Sequence, residues 1–187
     1  MKAVIDTSSL VSLVRYFLPF DKEEKLKAFL EENIRSGKII VLEQVAEECK
    51  RQGKGQVIEA LPFIAKPKYK TSIAGIQVNK AIYNLVDNNF INASVRARFP
   101  EAEYQFARDK FMASADFAMM LYAYSIKDKE NVVIVTEETG YSNDGKPFKK
   151  IPDICGIIGV KTQNFPSFLL ENSIINMTID VAKTSLF

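Results

Sequence analysis

The sequence predicts an α/β fold built on a mainly parallel sheet, in one domain spanning residues 1–187. Three observations predict it. The runs 3–5, 39–42 and 132–135 are short, apolar and largely β-branched, the pattern of strands buried on both faces. Stretches with helical spacing separate them, and such alternation places strands in parallel with helices packed over them. The length of 187 residues suits a single domain with a full core.

The first run ends at Asp6, and the polar turn Thr7, Ser8, Ser9 leads into a predicted helix over 10–17, closed by Pro19. Asp21 can cap a second helix over 22–36, with Leu26, Phe29, Leu30 and Ile34 on one face and Gly37 as the stop. The strand at 39–42 is followed by a short helix over about 44–52. Residues 56–112 read as a mostly helical insert, interrupted at Pro62, Pro67, Gly75 and the 86–94 stretch. Residues 101–127 read as one or two helices with Phe106, Phe111, Ala115, Met119, Tyr122 and Ala123 toward the core. The run 132–135 is the clearest strand, and 140–147 is a polar loop. A helix opens at Pro152 and Asp153, and Gly159 leads to a short strand over 160–162. In the tail, Ile175, Met177, Ile179 and Val181 alternate with polar residues, which predicts a half-buried edge strand over about 174–181.

Composition excludes several function classes. The hydrophobic share of 47% and charged share of 26% are those of ordinary soluble proteins. No apolar run approaches the ~18 residues that span a bilayer. Asp6 and Arg15 break the N-terminal apolar runs, so no secretory signal is expected and a cytoplasmic location follows. Cys49 and Cys155 form no zinc or redox spacing and read as small, buried, reduced side chains. The chain contains no histidine. Histidine-based triads, histidine general bases and His-ligated zinc are thereby excluded. Hydrolytic chemistry then rests on carboxylates, lysines or a hard cation held by oxygen, Mg²⁺ or Mn²⁺.

Acidic residues occupy informative places. Asp6 directly follows a buried run, where a carboxylate is costly unless it is paired, binds a metal or caps the next helix. Glu48 lies beside the apolar face of the helix after the second strand, with Glu43 and Glu47 as competitors for the same role. Asp116 stands in an almost wholly apolar stretch, FMASADFAMMLYAY, and either caps a helix or reaches a metal. Glu138 lies just past the strand VVIV, on the same sheet edge as Asp6, beside a second glutamate, Glu137. Asp153 is a weaker fifth candidate whose bland reading is a helix cap. Carboxylates gathered this closely repel one another unless cations neutralise them. Two divalent ions bridging such a cluster can activate water and stabilise the leaving oxygen of a phosphodiester.

Basic residues add a second signal. Lys50, Arg51, Lys54, Lys66, Lys68 and Lys70 face only Glu59 within 50–70, a local balance of +5 in a chain of net charge +2. Lys146, Lys149 and Lys150 form a second cluster. Of these, Lys50, Arg51, Lys54, Lys68, Lys146 and Lys149 are the candidates for a nucleic-acid backbone, against the simpler reading of solvated loops.

The order and placement of the four acids resemble the PIN-domain nucleases. That family has an aspartate after the first strand (Asp6, Thr7, Ser8 and Leu10 here) and a glutamate on the helix after the second strand (Glu48). A third acid lies in an AD-x-x helix (Asp116 in ADFAMMLYA), and a fourth follows a strand ending V-T-x-D/E (Glu138 in VVIVTEE). The likeness runs from residue 1 to about 165, and KKIPDIC is similar to a motif of a larger bacterial and archaeal PIN subfamily. Two features depart from the family: the fourth acid is Glu rather than the usual Asp, and the insert is long. The resemblance implies a three-layer fold with a central parallel sheet, and an endoribonuclease that hydrolyses RNA phosphodiesters with Mg²⁺ or Mn²⁺. Asp6, Glu48 and Asp116 would hold metal, with Glu138 and Asp153 completing the site, and Thr7, Ser8 and Thr136 would orient the carboxylates. Many such proteins are toxins, which implies a homodimer and a small antitoxin as partner. The competing expectation is a catalytically silent PIN-like module that binds RNA or protein through its basic segments. A phosphotransferase using Asp6 as nucleophile is disfavoured, because Ser8 stands where a DxDxT motif needs its second aspartate.

Overall fold

A computed structural model describes residues 1–140 and 145–171. The edge strand expected at 174–181 lies outside the described residues, as does part of the 140–147 loop. Four short strands form one all-parallel sheet: β1 (Lys2–Ile5), β2 (Ile39–Ile40), β3 (Val132–Val135) and β4 (Lys161–Gln163), in the order β2-β1-β3-β4. Strand β1 is central. It pairs Ala3 with Ile39 on one side, and on the other runs in register with β3 from Lys2↔Val132 to Ile5↔Val135. Strand β4 continues the ladder with Val135 opposite Gln163. Val4, Ile5, Ile134 and Val135 are wholly buried. This is why neither central strand alternates apolar with polar residues: both faces are covered by helices.

The helices are α1 (Thr7–Tyr16), α2 (Lys25–Arg35), α3 (Glu43–Arg51), α4 (Gln56–Ala60), α5 (Lys80–Asn88), α6 (Ala93–Arg96), α7 (Glu101–Met112), α8 (Ala115–Ile126), α9 (Ile151–Ile158) and α10 (Phe165–Glu171). Helix α1 begins three residues earlier than expected because Asp6 itself is its N-cap. Asp21 serves α2 as anticipated but from further upstream. Its two oxygens accept from the amides of Leu26 (3.1 Å) and Lys27 (3.0 Å), so the helix starts at Lys25 rather than at 22. Gly159 closes α9 at φ 70°, a left-handed turn that glycine adopts without steric penalty, and β4 follows one residue later than expected.

The 56–112 insert is mostly helical, interrupted around Pro62, Pro67 and Gly75 as its sequence predicts. After α4 come two 3₁₀ turns, Pro62–Ala65 and Pro67–Tyr69, and then a stretch without helix up to α5. Within that stretch Thr71 pairs in parallel with Leu42, donating to Val41 O (2.8 Å) and accepting from Glu43 N (3.1 Å). The insert thus docks against the chain just beyond β2. Further on, Ile91 pairs antiparallel with Phe148. Asn92 N donates to Pro147 O (2.7 Å) and Lys149 N to Phe90 O (2.8 Å), so the insert also fixes the basic segment 146–149.

Helix α8 is the apolar pillar of the molecule. It packs against β3, α3, α7 and α9, and every residue from Phe117 to Ala123 is buried. One expected core residue is misplaced: Phe106 is 73% exposed. Tyr104 and Phe111 lie two turns apart on the inward side of α7, and Phe106, two residues beyond Tyr104, points away from it. No helix among the described residues is long and apolar enough to cross a membrane.

Candidate active site

The strand order fixes where a site can form. From β1 the chain crosses to β2 on one side and later returns to β3 on the other. The connections leaving the carboxyl ends of β1 and β3 therefore diverge, which opens a crevice at that edge. Asp6 follows β1, and Thr136, Glu137 and Glu138 follow β3. Because Ile5 is opposite Val135 and Asp6 N donates to Val135 O (2.9 Å), Asp6 and Thr136 stand side by side.

Asp6 is only 5% exposed. Its Oδ1 accepts from the Thr7 amide (2.6 Å), and its Oδ2 accepts from Ser8 Oγ (2.5 Å) and Thr136 Oγ1 (2.8 Å). Burial pushes its carboxyl above the usual aspartate range. The three hydrogen bonds pull the other way, and Glu138 adds to the rise. Thr7 turns its own hydroxyl to Glu48, whose Oε2 accepts it at 2.8 Å, while Gln52 Nε2 reaches Oε1 (2.9 Å). This separates the three glutamates of α3. Glu48 is tied to the Asp6 turn. Glu47 is exposed and pairs with Lys50 (2.6 Å) and Lys70 (3.6 Å), and Glu43 is exposed.

Asp116 is the second residue of α8, and the cap is Ser114, whose Oγ accepts from Phe117 N (3.2 Å). The helix-cap reading of Asp116 is thereby set aside. Half-buried, it receives no hydrogen bond to its carboxylate among the described residues. Its carboxyl is pushed up to about 7, by burial first and then by the negative charges of Asp6, Glu138 and Glu48, with Lys146 opposing. All four acids therefore act on one region.

The paired glutamates after β3 divide the work. Glu137 Oε1 accepts from Ser9 Oγ (3.1 Å) and from Phe165 N (2.8 Å), binding α1 to the first residue of α10. Glu138 belongs to the crevice: its amide donates to Thr136 Oγ1 (3.1 Å) and its Oε2 accepts from Ile151 N (3.2 Å), the first amide of α9. Asp153, on the first turn of α9, stands over Gly140. A methyl group there would lie 3.0 Å from Asp153 Oδ1.

Two cavities meet at Lys110 and Ser114, at the start of α8. One, of about 570 Å³, is bordered by Glu48, Arg51, Lys110 and Ser114. The other, of about 470 Å³, is bordered by Asp116, Glu138, Lys110, Phe106 and the lysines 146, 149 and 150. Of the basic residues singled out from sequence, Arg51, Lys146 and Lys149 border these cavities, whereas Lys50, Lys54 and Lys68 line neither. Lys110 and Lys150 border them as well. Lys110 carried no sequence signal, since α7 mixes acidic and basic residues and contains no basic run. Ser9 was missed for another reason: a buried serine (0% exposed) in a Ser-Ser pair looks no different from Ser8 until its partner is known.

The donor set suits a hard divalent cation, being oxygen throughout and rich in negative charge that Asp116 can relieve only by taking a proton. The side chains are not closed around such an ion. Among the described residues, no three His, Cys, Asp or Glu groups converge tightly enough to grip one. Asp6, Glu48 and Glu138 are each held by hydroxyl or amide donors, and Asp116 is the one of the four whose carboxylate accepts no hydrogen bond among the described residues. The two cysteines take no part: both are free and buried, and burial pushes each thiol up to about 12.

Residues 4–175 match a family described as a domain of unknown function, DUF4411. No curated protein and no solved structure matches the chain. Since the family match spans most of the sequence and takes in Asp6, Glu48, Asp116 and Glu138, the protein belongs to the DUF4411 family.

Proposed function

We propose that the protein is a metal-dependent endoribonuclease with a PIN-like active site, in which Asp6, Glu48, Asp116 and Glu138 hold Mg²⁺ or Mn²⁺ and RNA phosphodiesters are hydrolysed. The observation that carries this reading is the gathering of four sequence-distant carboxylates at the switch point of a parallel sheet, with Asp116 lifted to about 7 by burial first and then by the other three. A cation bound there supplies charge neutralisation and Lewis acidity toward a phosphodiester. The protein's own part is orientation. Ser8 and Thr136 fix Asp6, Thr7 couples Asp6 to Glu48, and the Ile151 amide anchors Glu138. Asp116 has no such tether among the described residues and holds a proton near neutrality until positive charge replaces it. The two cavities that meet at Ser114, one bordered by Arg51 and Lys110 and the other by lysines 110, 146, 149 and 150, offer cations to the flanking phosphates.

One observation favours a second reading, a silent nucleic-acid-binding module: the acids are not closed around an ion in this arrangement. One assay separates the two. Single-stranded RNA incubated with the purified protein should be cut with Mn²⁺ or Mg²⁺ and left intact with EDTA. Asp6→Asn and Asp116→Asn should each slow cleavage at least a hundredfold while the protein stays folded by circular dichroism. Cleavage that survives EDTA or both substitutions overturns the nuclease reading, and RNA binding without any cleavage selects the silent module.

A further inference from the structure

The cavity between α7 and residues 146–150 combines features that the carboxylate chemistry does not require. Its rim carries Phe106, 73% exposed, although a large aromatic on a solvent face gains nothing from folding. Its wall includes Phe111 and Phe148, stacked with ring centres 4.3 Å apart and planes 6° from parallel. Around this apolar surface stand Lys110, Lys146 and Lys149. Lys149 Nζ donates to the uncharged carbonyl of Asn89 (2.7 Å), so that contact leaves its positive charge uncompensated. The segment is held in place in advance by its antiparallel pairing with residues 90–92. Asp116 and Glu138 close the inner end, and Lys110 also borders the cavity on the other side of Ser114. A strand passing Asp116 therefore has a cation at the divide and a mixed aromatic and basic cavity on one side.

We propose that this cavity is a subsite for one unpaired nucleotide adjoining the scissile phosphate, with its base stacked on Phe106 and its phosphate met by Lys110 and Lys149. The assignment of the adjoining carboxylates to phosphodiester cleavage underlies the position of this nucleotide. Charge complementarity and an aromatic face select a nucleic acid over a protein partner here, because phosphate answers the lysines and a base answers the ring. The subsite makes the protein selective for single strands: a base paired inside a duplex cannot offer its face to Phe106.

Fluorescence anisotropy with a short labelled single-stranded RNA, its DNA counterpart and the RNA duplex, at low ionic strength in EDTA, tests this without cleavage intervening. Phe106→Ala should weaken single-strand binding roughly five- to a hundredfold, the loss expected when one base no longer stacks on one aromatic ring. Phe106→Trp should restore it. Phe20→Ala, at a ring 74% exposed but absent from the rim of this cavity, should leave it unchanged. Loss on either single strand supports the subsite, and the RNA to DNA ratio shows whether the sugar is read. Unchanged affinity in Phe106→Ala, or duplex bound as tightly as single strand, overturns it and leaves the face to another partner. The nuclease reading fails separately: Phe106-dependent binding with no Mn²⁺-dependent cleavage removes that reading and leaves the subsite standing, and the converse removes only the subsite.

Discussion

Asp116 shows what a single carboxyl does when its surroundings disfavour its charge. The unfolded chain ionises it near 3.8, whereas the folded, metal-free chain does so at about 7. Below pH ~4 both states hold the proton; between ~4 and ~7 only the folded state does; above ~7 neither does, and the folded state carries a buried charge beside three others. Metal-free stability therefore falls as pH rises through that window. At about 1.4 kcal/mol per tenfold change in proton affinity, the loss reaches roughly 4 kcal/mol at most. Asp116→Asn should melt higher than the wild type at pH 8 in EDTA, with the gap closing toward pH 4. A gap independent of pH would contradict the shift. Thr136 tests the support of the buried Asp6. Thr136→Val keeps the shape but removes the 2.8 Å bond to Asp6 and the acceptor for Glu138 N, and should cost about 1–3 kcal/mol in urea unfolding. At this scale much was legible: a charge directly after a buried run, and one inside an apolar helix, each need a reason to be there. Illegible were Ser9 and Lys110, because each depends on a neighbour far away in the chain, whereas the outward turn of Phe106 follows from its spacing to Tyr104 on α7.

Elements explain why adjacent glutamates differ. The carboxyl end of β3 points Glu138 to the first amide of α9 and leaves Glu137 to join Ser9 with the start of α10. Glu137→Ala should lower the melting temperature with metal-dependent cleavage retained. Glu138→Gln should keep stability near wild type and lose cleavage at least tenfold. A reversed pattern in the two assays would show that the roles are exchanged. The strands were legible because β-branched runs bounded by turns have few other uses. Helix starts were less so: Asp6 and Asp21 both cap helices, but from different distances, which no local pattern distinguishes. The insert's helices were legible, but its pairings, Thr71 with Leu42 and Ile91 with Phe148, were not, because they join residues 29 and 57 positions apart. Single bridges of this kind leave no periodic trace.

For the molecule as a whole, the order β2-β1-β3-β4 turns four scattered acids into neighbours. Alternating strands and helices predicted a parallel sheet, and a parallel sheet places strand ends, and hence Asp6 and Glu138, along one edge. The sequence could not give the aromatic and basic cavity beside them, which needs the insert to pin residues 146–149 from a distance. Calorimetric titration of the metal-free protein with Mn²⁺ at pH 6, where Asp116 still holds its proton, tests the gathering of the acids most directly. Heat of binding should appear in the wild type with proton release, read as a dependence on buffer ionisation enthalpy, as Asp116 gives up its proton. Asp6→Asn and Asp116→Asn should each weaken or abolish that heat. Full-strength binding in both variants, or none in the wild type, would contradict a shared cation site at the ends of β1 and β3.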